Sequence, residues 1–343
     1  MPAVRYWLPS RINPNWYWEP KGIMPRIPDE HLRSIVFIYD SIEAAREGRQ
    51  VGGSGFVVNC TSGVGNFRVR YVLTNQHVLD HGGYWVRLNN PIGPHPHAVV
   101  HVPEEKWFRA PDDDDFAIAV LPLPTTIRPL EITLENFAVT RELAKTLSVG
   151  PGDEAYMVGR FIAHGGRITN NPIARFGSVA LMPNPLELVH DGRGKDVEAY
   201  LIEMRSHSGF SGSPVFLLIP ANTFRGEFGD TSMDDFTTRF RLLGIDTGHK
   251  IDRLPLQQWQ GDEWRNQPDY RIPHYSDIAI VAPIWKVVDL LNREDLAEQR
   301  RQWGLEYEAK HGNQAAASDI ETAVELGDAR SATADRDDST QRT

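Results

Sequence analysis

The sequence predicts an all-β fold: two packed, six-stranded antiparallel barrels followed by a C-terminal helix. Short apolar or alternating runs, each set off by Gly, Pro, Asn or Asp, fall into one series of six and then a second series of six. Only beyond the last run does the spacing become helical, at Ile284, Val287, Val288 and Leu291. A chain of 343 residues, 41% hydrophobic, buries ample core as one large unit or as two closely packed sub-domains.

The first series begins with Ile35–Tyr39 and Gly55–Asn59. Val69–Leu73 follows and runs into the polar bend Thr74-Asn75-Gln76-His77; then come Tyr84–Leu88, Ala98–Val102 and Phe116–Leu121. The second series is Glu154–Val158, Gly177–Leu181, Ala199–Met204, Pro214–Ile219, Leu242–Asp246 and Ile278–Val281. Antiparallel strands joined in this way suit two barrels, with a cleft between them. A second helical stretch, Glu294–Lys310, is rich in Glu, Arg and Gln.

The octet Gly209-Phe210-Ser211-Gly212-Ser213-Pro214-Val215-Phe216 holds a serine between glycines, just ahead of a proline and an apolar strand. A hydroxyl is a weak nucleophile unless a base and an orienting carboxylate accompany it. His77 ends a β-prone run and is the candidate base. Of Asp112-Asp113-Asp114-Asp115, only Asp115 abuts the apolar run Phe116–Leu121, so it is the acid expected to turn inward beneath the imidazole. The other three read as a solvated turn. An α/β-hydrolase would need the order Ser, Asp or Glu, His, and a helix after the serine. Pro214 and the run that follows favour a strand.

These motifs, Leu73-Thr74-Asn75-Gln76-His77-Val78, Asp115-Phe116-Ala117-Ile118-Ala119 and the serine octet, resemble those of the chymotrypsin-like (trypsin-like) serine proteases, nearest to the bacterial HtrA-type protease domain and the glutamyl endopeptidases. Gly53-Ser54-Gly55-Phe56-Val57-Val58 and Asp277-Ile278-Ala279-Ile280-Val281-Ala282-Pro283-Ile284 are similar to further family strands. Agreement in type, order and spacing over about residues 33–293 is far more specific than any one motif. The resemblance implies Greek-key barrels at about 33–140 and 150–283, helices at about 284–310, and a serine endopeptidase acting through His77, Asp115 and Ser211. It also implies an oxyanion hole from backbone N–H groups of the Gly209-Phe210-Ser211 turn, chiefly Gly209 and Ser211. Phe210 stands where secreted relatives carry an acid that pairs with a freed N-terminus, so that activation switch is not implied; an activating protein partner is the hypothesis in its place. The rival reading is a catalytically silent or partner-activated protease-like binding module. No segment after Val281 is long enough for a PDZ domain.

By the same resemblance the substrate pocket draws on Arg205, Ser206, His207 and Ser208 and on Gly244–His249, with Arg205, Ser206, Asp246 and His249 as the polar wall. The expectation is a protein or peptide substrate with a small or polar, or acidic, residue before the cut. Arg205 and Asp246 are placed to neutralise each other.

Other features count against other classes. A net charge of −10, with no basic stripe, argues against nucleic-acid binding. The N-terminus lacks a signal-peptide segment and no window approaches a membrane span, so the expectation is a cytoplasmic protein without membrane partners. Cys60, the only cysteine, forms no disulfide staple. His95, His97 and His101 sit among prolines without a completing ligand, and neither metal nor cofactor is expected. Gly52-Gly53-Ser54-Gly55 lacks the ending of a phosphate loop and reads as a barrel turn. Residues 1–32 form an N-terminal extension whose Trp16-Tyr17-Trp18 is expected to pack on its own barrel rather than on a partner. From Gly312 to Thr343 the chain is rich in Ala, Ser, Thr and Asp, and reads as a disordered acidic tail after the 33–311 domain.

Overall fold

A computed structural model describes residues 27–49, 52–90, 95–111, 114–123, 127, 129–191, 193–205, 209–219, 240–261 and 263–311. The tail from 312 and the Trp16-Tyr17-Trp18 segment lie outside these residues.

The first half comprises α1 (Asp29–Arg33), β1 (Ile35–Tyr39), α2 (Ile42–Glu47), β2 (Gly53–Thr61), β3 (Arg68–Thr74), α3 (Gln76–Asp80), β4 (Trp85–Asn89), β5 (His97–His101), β6 (Trp107–Arg109), β7 (Ala117–Val120) and β8 (Ile132–Thr133). Its strands order as β5-β4-β1-β2-β3-β7-β6, with β8 added parallel to β2. The short helices α4 (Leu134–Phe137) and α5 (Arg141–Thr146) lead to the second half. There β9 (Glu154–Gly159), β10 (Ile173–Leu181), β11 (Val189–His190), β12 (Asp196–Val197), β13 (Tyr200–Glu203), β14 (Pro214–Leu218), β15 (Phe240–Gln260) and β16 (Glu263–Pro283) precede α6 (Ile284–Leu291) and a terminal helix at residues 294–311. Six of these strands close a barrel in the order β10-β13-β16-β15-β14-β9, while β11 and β12 form a separate small hairpin.

The chain is therefore all-β with two antiparallel units and a C-terminal helix, as the sequence predicts. Every predicted run overlaps a strand. The count differs in the first unit, which among the described residues has eight strands and stays an open half-barrel whose edges β5 and β6 do not pair. Its central strand β1 is nonetheless buried on both faces. Ile35, Phe37 and Tyr39 of β1 join the core shared with the second barrel, whereas Val36 and Ile38 join a second cluster with Val57, Val72, Val86 and Ala119. Two buried faces explain why β1 reads as a continuous apolar run rather than an alternating one.

α6 buries Ile284, Trp285, Val287, Leu290 and Leu291, matching its apolar spacing. The terminal helix reaches back to the first unit. Tyr307 stacks on Phe67 with ring centroids 4.8 Å apart, and Gly304 rides against Ser62 and Val64. No helix among the described residues is long and apolar enough to cross a membrane.

Candidate active site

Register delivers the first two candidates to one place. β3 pairs with β7 so that Thr74 faces Ala117, which sets the bend after Thr74 against the acidic segment before Ala117. The bend's polar side chains fasten the two together. Asn75 Nδ2 donates to Asp115 O (2.6 Å), and Gln76 Nε2 donates to Asp114 O (2.8 Å) and Ala110 O (3.1 Å). His77, in the first turn of α3, then meets Asp115 twice. Its backbone N–H donates to Oδ1 at 3.0 Å, and its Nδ1 lies 2.6 Å from Oδ2. The Asp115 side chain is 10% exposed and that of His77 is 29% exposed, so the acid lies beneath and the imidazole edge reaches the cleft.

The other acids divide. Asp112 and Asp113 lie outside the described residues. Asp114 is no solvated turn residue: Lys286 Nζ of α6 lies 2.7 Å from its Oδ1, and both side chains are largely covered. This pair ties the acidic segment to the second half.

Ser211 occupies the turn before β14, between Gly209 (φ 100°) and Gly212 (φ 87°). Both glycines sit in the left-handed region that side chains avoid. A Cβ on Gly212 would also stand 2.1 Å from Ser54 O, so the first sheet packs directly on the turn. Hydrogen bonds fix the turn from both sides. Gly212 N donates to Asp246 O (2.9 Å), Ser213 N to Phe210 O (2.8 Å), and Ser54 N of β2 to Ser211 O (2.8 Å). Ser54 Oγ donates to Gly209 O (2.7 Å) and accepts from Arg160 N (2.8 Å). Thr74 Oγ1 in turn donates to Ser54 O (2.8 Å). The Phe210 side chain is wholly buried in the shared core. Among the described residues, the N–H groups of Gly209, Phe210 and Ser211 find no acceptor.

His77 and Ser211 line one cavity of about 710 Å³, with Tyr39, Gly209, Thr247 and His249 among the residues around it. No hydrogen bond joins Ser211 Oγ to the imidazole among the described residues. Of the proposed pocket wall, His249 borders this cavity. Arg205 lies at a different depression with Arg175, Phe176 and Asp277; its side chain is 71% exposed and its Nε stands 3.4 Å from Asp277 Oδ2. Asp246 is buried behind the turn. Arg205 is thus paired with Asp277, and no ion pair joins it to Asp246 among the described residues. Ser206, His207 and Ser208 lie outside the described residues.

Arg193, between β11 and β12, belongs to none of the sequence motifs. Its Nη1 is 2.7 Å from Asp115 Oδ2 and 2.8 Å from His77 Nδ1, while Nε is 3.2 Å from Asp191 Oδ2 and Nη2 donates to Thr247 O at 3.1 Å. Burial alone would raise the Asp191 carboxyl. Hydrogen bonds from Lys195 N–H, Arg193 N–H and the Arg193 side chain outweigh it and hold the group below the usual carboxylate range. Of the three candidate metal histidines, His97 Nδ1 lies 2.7 Å from Ile168 O and His101 packs at a tilt against Trp85, ring centroids 4.5 Å apart. Among the described residues no cluster of three or more His, Cys, Asp or Glu could hold a metal ion. Cys60 is buried, which pushes its thiol up to about 11.

No family model and no curated protein matches this chain. Among solved structures, the chain is similar to the Rv3671c protease of M. tuberculosis. The inactive form is 17% identical with a TM-score of 0.39, covering 77% of this chain and 89% of that one. The active form is 18% identical with a TM-score of 0.39, covering 77% and 81%.

Proposed function

We propose that this chain is a serine endopeptidase. The observation that most supports the reading is the His77–Asp115 contact, formed on one sheet and facing the same cavity as the glycine-flanked Ser211 turn of the other. In this reading Ser211 Oγ attacks the carbonyl carbon of a peptide bond as His77 Nε2 accepts its proton. Asp115 holds Nδ1–H and stabilises the imidazolium, and the unengaged N–H groups of the 209–211 turn receive the oxyanion. The imidazolium then protonates the leaving amine, and water hydrolyses the acyl-enzyme by the same steps. The substrate is a protein or peptide. The domain is 33–311, divided as the sequence suggests, and the location is cytoplasmic.

One observation favours the second reading, a silent or partner-activated binding module: the Arg193 guanidinium stands against the ring nitrogen that Asp115 should hold. A fluorophosphonate probe separates the two. Labelling that vanishes in Ser211→Ala is expected, together with peptide turnover that falls at least about 100-fold in His77→Ala, in Ser211→Ala and, no further, in the double variant. Asp115→Asn should fall with them. Absence of labelling with or without copurified partners would leave the binding module as the reading, and near-native turnover of His77→Ala would remove His77 as the base.

A further inference from the structure

We propose that Arg193 is a positioning residue that restrains the His77–Asp115 pair, competing with the imidazole for Asp115 Oδ2. The inference rests on reading His77 as the general base, and concerns what holds that base back. Three atoms form a close triangle: Oδ2 lies 2.6 Å from His77 Nδ1 and 2.7 Å from Arg193 Nη1, and the two nitrogens are 2.8 Å apart. A base that takes a proton at Nε2 must carry its own proton on Nδ1, directed at Asp115. Arg193 Nη1 also has only a proton to offer. With Nδ1 protonated, two donors share one carboxylate oxygen, and each draws on the charge that would serve the other. If Nδ1 instead accepts from Arg193, the ring proton moves to Nε2, the position that must be vacant to receive the proton of Ser211.

Proton transfer makes the conflict worse. The imidazolium has donors at both nitrogens and a full positive charge, which then faces a guanidinium at hydrogen-bond distance. In a triad without such a cation, the carboxylate's charge serves the imidazolium alone; here Arg193 draws on the same oxygen. The guanidinium does not reach this place by chance of rotamer. Asp191, with its side chain 3% exposed, grips Nε through Oδ2 and the Arg193 and Lys195 backbone N–H groups through Oδ1, while Thr247 O takes Nη2. The holder is a hairpin of the second half and the held pair belongs to the first, so a shift of the hairpin tip that carries Arg193 would free the base while Val189 stays packed with Ala199 and Ile280.

The test uses the full chain with Arg193→Gln, Asp191→Asn, the double variant and His77→Gln. Two signals are read: the rate of fluorophosphonate labelling with peptide kcat and KM, and the proton resonance of His77 Nδ1–H, identified by its absence in His77→Gln. Arg193→Gln should label faster and raise kcat about tenfold with little change in KM, the size expected for relief of a close, partly solvated charge contact. Its Nδ1–H resonance should move downfield as Oδ2 is returned to the imidazole. Asp191→Asn should shift both signals the same way, and the double variant should add little, since the two act through one guanidinium. A purely structural role would slow the enzyme. Unchanged or slower labelling of Arg193→Gln beside a labelled native protein overturns the restraint, as does an unmoved resonance. A resonance that moves while no variant labels overturns Ser211 as the nucleophile and leaves the restraint standing.

Discussion

Asp114 and Asp115 are neighbours of the same chemistry with different partners. Asp115 meets His77, and Asp114 is taken by Lys286. Adjacency to the apolar run singled out Asp115 in the sequence. The covered pair of Asp114 needed a residue from α6, 172 positions on, which no local pattern announces. Arg193 is hidden for the same reason: it stands 116 positions from His77, in a two-residue-strand hairpin with no periodicity to mark it. His31 is another residue whose environment only the fold provides. It is 2% exposed, stacked 4.2 Å from Phe216, with Nδ1 2.6 Å from Tyr156 Oη. Burial lowers it from 6.5 to about 4, so between those values the unfolded chain binds a proton that the folded one refuses. Stability supplied by neutral His31 is complete above about pH 6.5 and is lost as pH falls towards 4, by about 3 kcal/mol in total. Urea midpoints measured across this range should fall with acid in the native protein and flatten in His31→Asn. An equal slope in both would place the acid sensitivity elsewhere.

At the scale of elements, strands were legible where burial was strong and regular. Each predicted run in the first unit lies within or beside an observed strand, since apolar side chains there face a core on one side or both. Short or pairing-dependent strands were not legible: β6, β8, β11 and β12 have two or three residues each and exist because a neighbour pairs with them. The short helices had signals that apolar spacing passes over. Ser41 caps α2, Gly48 ends it at φ 65°, and Thr140 caps α5. The largest departure is β15–β16. Only Leu242–Asp246 and Ile278–Val281 were foreseen, yet both strands run for 21 residues, because their outer parts pair with each other and not with a core. Ile251, Leu254, Leu256 and Trp259 remain well exposed there. Replacing residues 252–274 with a short turn should therefore shift Tm by no more than about 3 °C. A collapse of the unfolding transition would show that the arm supports the barrel.

Across the whole molecule, the terminal helix adds a further clasp to two halves that already share a core. Gly304 makes the fit possible: a Cβ there would lie 2.6 Å from Ser62 Oγ and 2.8 Å from Val64 Cβ. Helix propensity favours replacing a mid-helix glycine by about 0.5–1 kcal/mol. Overpacking against the β2–β3 turn costs about 1–3 kcal/mol and should win. Gly304→Leu is accordingly expected to lower Tm by several degrees in a thermal melt, while an increase would mean that the helix detaches at little cost. The sequence showed this stretch to be helical but not where it docks, since its apolar contacts are few and its target, the turn at 62–67, is 240 residues away in sequence.

The Ser54 hydrogen bonds have a mechanical consequence. Ser54 belongs to the sheet that bears the base, yet its N–H and hydroxyl engage Ser211 O and Gly209 O of the opposite half. The reactive turn is riveted to its counterpart rather than hinged against it. A swing that parted the halves would break those bonds at the nucleophile, together with those that Arg87 and Asn89 send to residues 166–170. Adjustment has to come from segments outside the rivet, such as the hairpin tip that carries Arg193.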